Sequence, residues 1–154
     1  MSDIEDFCEI RRDGKTIREG ATVEDIAALG PIEKTVEIRW NNRGRSVSLA
    51  SPNGIWAIVV PGRNFVAVMQ EMNSTTHQAE LSVFNADGSQ RLVIPNVQTF
   101  RGHTYKGSFG WFATRKDKPQ DTFSAIFQPA NSGLDYRLDI NAADGQVIDV
   151  HETR

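Results

Sequence analysis

Three Asp-Gly pairs, each set between short runs of apolar and polar residues, constrain this chain more than any other feature. They fall at Asp13-Gly14, Asp87-Gly88 and Asp144-Gly145. The flanking stretches are Cys8–Ile17, Glu80–Ile94 and Leu134–Val150. Asp-Gly between such runs is a strong hairpin signal, because a two-residue type I′ turn needs positive φ at both central positions and these residues tolerate it. The second and third copies also suggest a weak internal duplication. Two copies are fewer than the blades of a closed propeller.

Between these hairpins the β pattern continues. Thr35–Trp40 and Arg45–Leu49 alternate around Asn41-Asn42-Arg43-Gly44. Ile55–Val60 and Phe65–Met69 are continuously apolar, as expected of strands covered on both faces, and mark the centre of the core. Ser108–Thr114 is aromatic, whereas Pro95–Gly107 is polar, rich in turn formers and expected to be irregular. In Thr122–Phe127 alternation places Phe123, Ala125 and Phe127 on one face and Ile126 on the other. The one helix expected is Thr22–Leu29, capped by Thr22, favoured by Glu24 and Asp25 at its positive end and stopped by Gly30-Pro31. At about two turns it would need packing through Val23, Ile26, Ala27 and Leu29 to hold it.

The pattern predicts an all-β fold of about ten to twelve strands, mainly an antiparallel meander, with one short N-terminal helix. Sandwich-like packing and two blade-like sheets both satisfy it. A chain of 154 residues fits one domain, with a hairpin-plus-helix element over 1–40 and a β-sheet body over 41–154.

Composition narrows the functional classes. With 17 basic and 20 acidic residues the net charge is −3, which gives no reason to expect nucleic acid or an anionic membrane as partner. No apolar run reaches the roughly 18 residues of a membrane span, and the first residues lack the pattern of a signal peptide. The single cysteine, Cys8, precludes an internal disulfide and sits in a strand pattern that favours a buried apolar role. These features point to the cytoplasm.

Motifs for catalysis are missing. His77, His103 and His151 show no ligand spacing, and there is no Gly-x-Ser-x-Gly, Walker A or Gly-x-Gly-x-x-Gly pattern. Gly107-Ser-Phe-Gly110 leads into aromatic strand residues rather than a helix, so a phosphate cradle lacks its physical basis. Asp135 and Asp139 share a face by parity, as a solvated sheet face would have it. The chain is expected to be no enzyme and to need no cofactor or metal. One stretch mixes aromatics with cations: Tyr105, Trp111, Phe112, Arg115, Lys116 and Lys118 are the candidate protein-binding residues. If Phe109 and Trp111 face the core, parity turns Phe112 outward; a sheet covered on both faces would instead bury all three.

A resemblance adds to this. The apolar pair Ile55–Met69, the hairpin Leu81-Ser-Val-Phe-Asn-Ala-Asp-Gly88 and the run Tyr136-Arg-Leu-Asp-Ile-Asn-Ala-Ala-Asp-Gly-Gln-Val-Ile-Asp149 resemble small bacterial β-rich immunity and toxin-associated proteins. The last matches their aromatic-x-apolar-Asp-apolar-x-x-x-x-Gly-x-apolar pattern. The resemblance covers the C-terminal two-thirds and implies binding rather than catalysis, with a toxin domain as cognate partner. It assigns no residue roles. Two other readings stand beside it. One is a small-ligand module with Trp56, Trp111 and Tyr105 around a pocket; the other is an enzyme in which folding brings His103 or His77 to a carboxylate.

Overall fold

A computed structural model of the chain describes residues 3–73, 75, 78–113 and 119–153. Its elements in order are β1 (Glu5–Arg11), β2 (Thr16–Arg18), α1 (Val23–Ala27), β3 (Thr35–Asn42), β4 (Arg45–Ala50), β5 (Ile55–Val59) and β6 (Phe65–Asn73). There follow β7 (Gln78–Asn85), β8 (Gln90–Ile94), β9 (Val97–Phe100), β10 (His103–Ala113), β11 (Thr122–Pro129), β12 (Asp135–Asn141) and β13 (Val147–Thr153). Every strand pair is antiparallel, in three sheets of order β2-β1-β3-β4, β5-β6-β7-β8 and β13-β12-β11-β10-β9. The fold is all-β with one short helix, as the turn and strand pattern predicts.

The sheets stack as three layers with a core on each side of the middle one. Along β6, Ala67 and Met69 enter the core shared with the third sheet, while Val66 and Val68 enter the core shared with the first. All four are fully buried, which is what a continuous apolar run requires. β5 differs. It is the end strand of its sheet, and Trp56 on it is 46% exposed, so of the two apolar runs only Phe65–Met69 is covered on both faces. The core between the middle and third sheets has sixteen buried residues against eight in the other. At roughly 1.5–3 kcal/mol for each large apolar side chain buried, it carries most of the hydrophobic stabilisation.

The Asp-Gly pairs do form the predicted hairpins, but not through type I′ turns. Only the glycine of each pair has positive φ: Gly14 at 84°, Gly88 at 91° and Gly145 at 78°. Each aspartate instead accepts a hydrogen bond from the backbone N–H two residues on. Asp13 takes Lys15 (3.1 Å), Asp87 takes Ser89 (2.9 Å) and Asp144 takes Gln146 (2.9 Å). This side-chain closure of the loop is a general turn property of aspartate. The two-residue turns with positive φ at both positions are at Arg43-Gly44 (51°, 82°) and Arg101-Gly102 (53°, 80°). The second of these makes Val97–Gly107 a regular hairpin of β9 and β10, where irregular chain was expected.

Two of the Asp-Gly turns fasten one layer to the next, and they do so alike. From the first sheet, the Trp40 indole N–H donates to the carbonyl of Ala86 (2.7 Å) in the β7–β8 turn. From the middle sheet, Arg91 Nε donates to the carbonyl of Ala143 (2.8 Å) in the β12–β13 turn. Both acceptors directly precede the aspartate of an Ala-Asp-Gly triplet. The glycine that follows is packed against the same neighbouring layer. A Cβ at Gly88 would lie 2.6 Å from Val47 Cγ1, so no side chain fits there.

Polar ties reinforce the first layer. Arg63, in the β5–β6 turn, holds Glu19 through two bonds (2.7 and 2.8 Å) and donates to the Ile4 carbonyl (2.9 Å). Lys34 pairs with the buried Glu71 of β6 at 2.5 Å. The helix is capped as its sequence predicts, with Thr22 and Asp25 forming a reciprocal capping box. Packing does not hold it, contrary to expectation: none of its residues is buried, and Val23 is 82% exposed. Its C-terminal end is tied instead by Lys15 Nζ, which donates to the Leu29 carbonyl (2.6 Å). Cys8 is partly exposed rather than buried, on the face of the sheet where its cross-strand partners are Arg18 and Arg39.

Candidate interaction surface

β5 pairs only with β6, so its other edge is the open end of the middle sheet. On one side of it the first sheet presents Glu9 of β1, and on the other the third sheet presents β10. The three layers meet there in a cleft of about 340 Å³ lined by Glu9, Trp56, Ala57, Ile58, Gly110, Trp111 and Phe112. It runs into a second hollow of about 330 Å³, which shares Glu9, Ala57 and Ile58 and adds Ile17, Ile26 and the charged pair Arg18 and Glu19. Beyond Ile26 an apolar hollow surrounds the helix, with Val23 and Ile32 on its rim, the latter 99% exposed. The result is a largely apolar and aromatic surface along the β5 edge and the helix, with Glu9, Arg18 and Glu19 set into it. Surfaces of this kind mark interaction sites.

Trp111 reaches the cleft because of a β-bulge. Phe109 pairs with Phe127 and Trp111 with Ile126, so Gly110 has no partner in β11. The extra residue reverses the parity beyond it. Phe109 and Phe112 therefore turn to the core while Trp111 turns out, 50% exposed, the opposite of the predicted faces for Trp111 and Phe112. Phe112 packs edge-on to Phe123 with ring centroids 6.1 Å apart and shows only part of itself in the cleft.

The other candidate residues lie elsewhere. Tyr105 belongs to an aromatic group against the larger core, stacked on Phe100 (4.8 Å) and 6.0 Å from Tyr136. It does not line the cleft that Trp56 and Trp111 share. Arg115, Lys116 and Lys118 lie outside the described residues, as does His77. His103 sits at the exposed start of β10, its ring 6.1 Å from that of Tyr105.

Glu9 has distinctive electrostatics. Burial alone pushes its carboxyl upward from the usual value, with no hydrogen bond or charged neighbour acting on it. The next charged residue along β1, Arg11, is almost fully buried; its Nη2 donates to Asp13 (2.5 Å) and to the Pro31 carbonyl (2.8 Å), while its Nε has no hydrogen-bond partner among the described residues.

A second polar cluster was not visible in the sequence. Pairing of β12 with β13 sets Asp139 opposite Asp149 and Arg137 opposite His151. Asp139 is only 4% exposed, so this is not the solvated face that alternation suggests. Its carboxylate accepts from the Ser124 hydroxyl (2.5 Å) and lies 3.4 Å from Arg137 Nε, while His151 Nε2 is 2.9 Å from Asp149. Donor atoms of Asp139, Asp149 and His151 lie within 4.8 Å of one another, a set that a divalent ion could use. Ser124 and Arg137 stand against Asp139, although neither Arg137 Nε nor His151 Nε2 has a well-formed hydrogen bond among the described residues. Only cross-strand register creates the arrangement, which is why residue spacing gave no sign.

No protein-family model matches the chain, and no curated protein matches it. A solved structure does: one chain of the structure of Tne2 in complex with Tni2 superposes with a TM-score of 0.92 at 31% identity, covering 98% of this chain and 99% of that one. This chain belongs to the same family as that chain. The likeness extends over the first sheet, which the sequence resemblance did not reach, and the relative was solved with a protein partner. No helix among the described residues is long and apolar enough to cross a membrane.

Proposed function

We propose that this chain is a non-catalytic protein-binding protein, and specifically an immunity protein that neutralises a cognate bacterial toxin by direct contact in the cytoplasm. The observation that carries the reading is the 31% identical relative, similar over nearly all of both chains, in a structure of one protein in complex with another. The resemblance of the Ile55–Met69 and Tyr136–Asp149 segments to immunity and toxin-associated proteins agrees with it. Three rigid stacked sheets with an aromatic cleft at one edge suit such a role, since affinity rests on a few anchors held in place before the partner arrives.

The test is co-expression with the product of the adjacent gene, followed by size-exclusion chromatography and a growth assay. A stoichiometric complex, and growth restored in cells making that product, support the reading. A product that neither binds nor is neutralised counts against it. A small-ligand module is the second reading, favoured by Trp56 and Trp111 sharing one cleft, although Tyr105 is not with them.

A further inference from the structure

The cleft at the β5 edge has an unusual chemical content. Among the described residues its one charged lining residue is Glu9, set among Trp56, Ala57, Ile58, Trp111 and Phe112; Arg18 lines only the adjoining hollow and makes no ion pair with it. Other acidic groups nearby have partners: Glu19 is held by Arg63, and Asp13 by Arg11. The Glu9 carboxylate makes neither a hydrogen bond nor an ion pair with any described residue. An unpaired carboxylate in a half-buried apolar site is unfavourable in the isolated chain. Two half-exposed indoles beside it leave further apolar surface in water.

A single kind of group answers both demands. A cation neutralises the carboxylate and is attracted to the negative faces of the tryptophan rings. Arginine fits better than lysine, because its planar guanidinium stacks on aromatic faces while donating a forked pair of hydrogen bonds to a carboxylate. Phosphate-bearing partners are disfavoured, since Glu9 would repel them. We propose, resting on the protein-binding reading above, that the notch formed by Glu9, Trp56 and Trp111 receives an arginine side chain of the protein partner. The notch then acts as an anchor pocket, and a basic residue at the centre of the partner's contact surface is its complement.

The probe is the blocked tripeptide acetyl-Val-Arg-Val-amide, compared with the same peptide carrying citrulline, which keeps the shape of arginine and lacks its charge. The full chain is labelled with ¹⁵N and the indole N–H signals of Trp56 and Trp111 are followed. Trp40 serves as the internal control, since its indole is buried and bonded to Ala86. The arginine peptide should shift both exposed indoles in a saturable way and bind at least tenfold more tightly than the citrulline peptide. Glu9→Gln, which keeps the side-chain shape, should abolish that difference, and Trp111→Ala should weaken the arginine peptide. Equal response to the two peptides, no response at either indole, or selectivity that survives Glu9→Gln overturns the proposal. The partner recovered by co-expression separates the two claims. If it binds Glu9→Gln and Trp111→Ala as tightly as the unaltered chain, the notch is wrong and the protein-binding reading stands. If peptide selectivity holds but no partner is found, the protein-binding reading is the one that fails.

Discussion

Phe109 and Trp111, two residues apart on one strand, point to opposite faces of their sheet. Phe109 packs at 5.2 Å against Phe127 inside the larger core, while Trp111 stands half-exposed at the β5 edge. Gly110 between them is the unpaired residue of a β-bulge. One extra residue therefore supplies the cleft with a tryptophan and the core with Phe112.

Replacing the two aromatics should separate stability from binding. Phe112→Ala removes a ring packed against Phe123 and should cost about 2–3 kcal/mol, somewhat below the usual loss for a fully buried phenylalanine. Trp111→Ala should change stability by less than about 1 kcal/mol and act on partner binding instead. Urea denaturation and a binding isotherm for each variant check both statements. A binding defect for Trp111→Ala explained wholly by unfolding would remove the case for the cleft.

The glycines of β10 should differ in what they tolerate. A Cβ at Gly107 would meet the Gln128 carbonyl oxygen at 2.4 Å and Pro129 Cα at 2.9 Å, both backbone atoms that can yield only if the strand moves. A Cβ at Gly110 would meet the Gln128 side-chain oxygen at 2.8 Å, and that side chain can swing aside. Gly107→Ala should lose about 2 kcal/mol or more, and Gly110→Ala about 1 kcal/mol or less. Thermal unfolding of the two variants gives the comparison directly.

The layer-to-layer clamps should be unequal despite their matching geometry. Trp40 is buried, so Trp40→Phe leaves the Ala86 carbonyl without its donor in a part-buried site and should cost about 1–3 kcal/mol. The bond from Arg91 to Ala143 is exposed and water can replace it, as it can the exposed bond to Asn85 (3.1 Å), while methionine keeps apolar contact with the Phe65 ring that the guanidinium covers at 5.1 Å. Arg91→Met should therefore cost no more than about 1 kcal/mol. Chemical denaturation decides, and a loss at Arg91 as large as that at Trp40 would count against the contrast.

Arginine in a left-handed turn position is a local strain. Arg43 has φ of 51°, is largely exposed and makes only a long contact of 3.4 Å with Asp3. Arg43→Asn creates Asn-Gly, the preferred type I′ pair, and should stabilise by about 0.5–1 kcal/mol. Arg101 has the same backbone but lies 5.8 Å over the Tyr136 ring and donates to the Val150 carbonyl (3.2 Å). Arg101→Asn should show no such gain, because those contacts are lost. Melting temperatures of the two variants test the contrast.

Glu9 predicts a dependence on pH. Burial raises its carboxyl pKa on folding, so its favourable contribution is complete below the unfolded value and is lost as pH rises through the folded one. Ionised Glu9 thus weakens the fold at neutral pH. Glu9→Gln should be more stable than the unaltered chain near pH 7, with the difference vanishing as pH falls below the carboxylate range. Unfolding followed across that range measures it, and a difference independent of pH would exclude titration of Glu9 as the cause.

The local features of this fold were legible in the chain itself. Three Asp-Gly pairs gave three hairpins, the continuous run Phe65–Met69 gave the doubly covered strand, and Thr22 with Asp25 capped the helix. Each depends on backbone preference, side-chain alternation or a bond to a near neighbour, quantities set within a few residues. The turn at Asn41–Gly44 was legible too, but not its two positive φ values, and the Arg101-Gly102 hairpin escaped altogether, because arginine has no preference for positive φ; the register of the strands around it imposes that conformation. The bulge at Gly110 escaped for a related reason, since an unpaired residue exists only relative to a partner strand. The same holds for the meeting of Asp139 with Asp149 and for the cleft, whose Glu9, Trp56 and Trp111 come from three different sheets. Sequence determined which segments are strands and where they turn; which faces meet, and what gathers at the edge of the stack, was decided by register and layer packing acting between residues far apart in the chain.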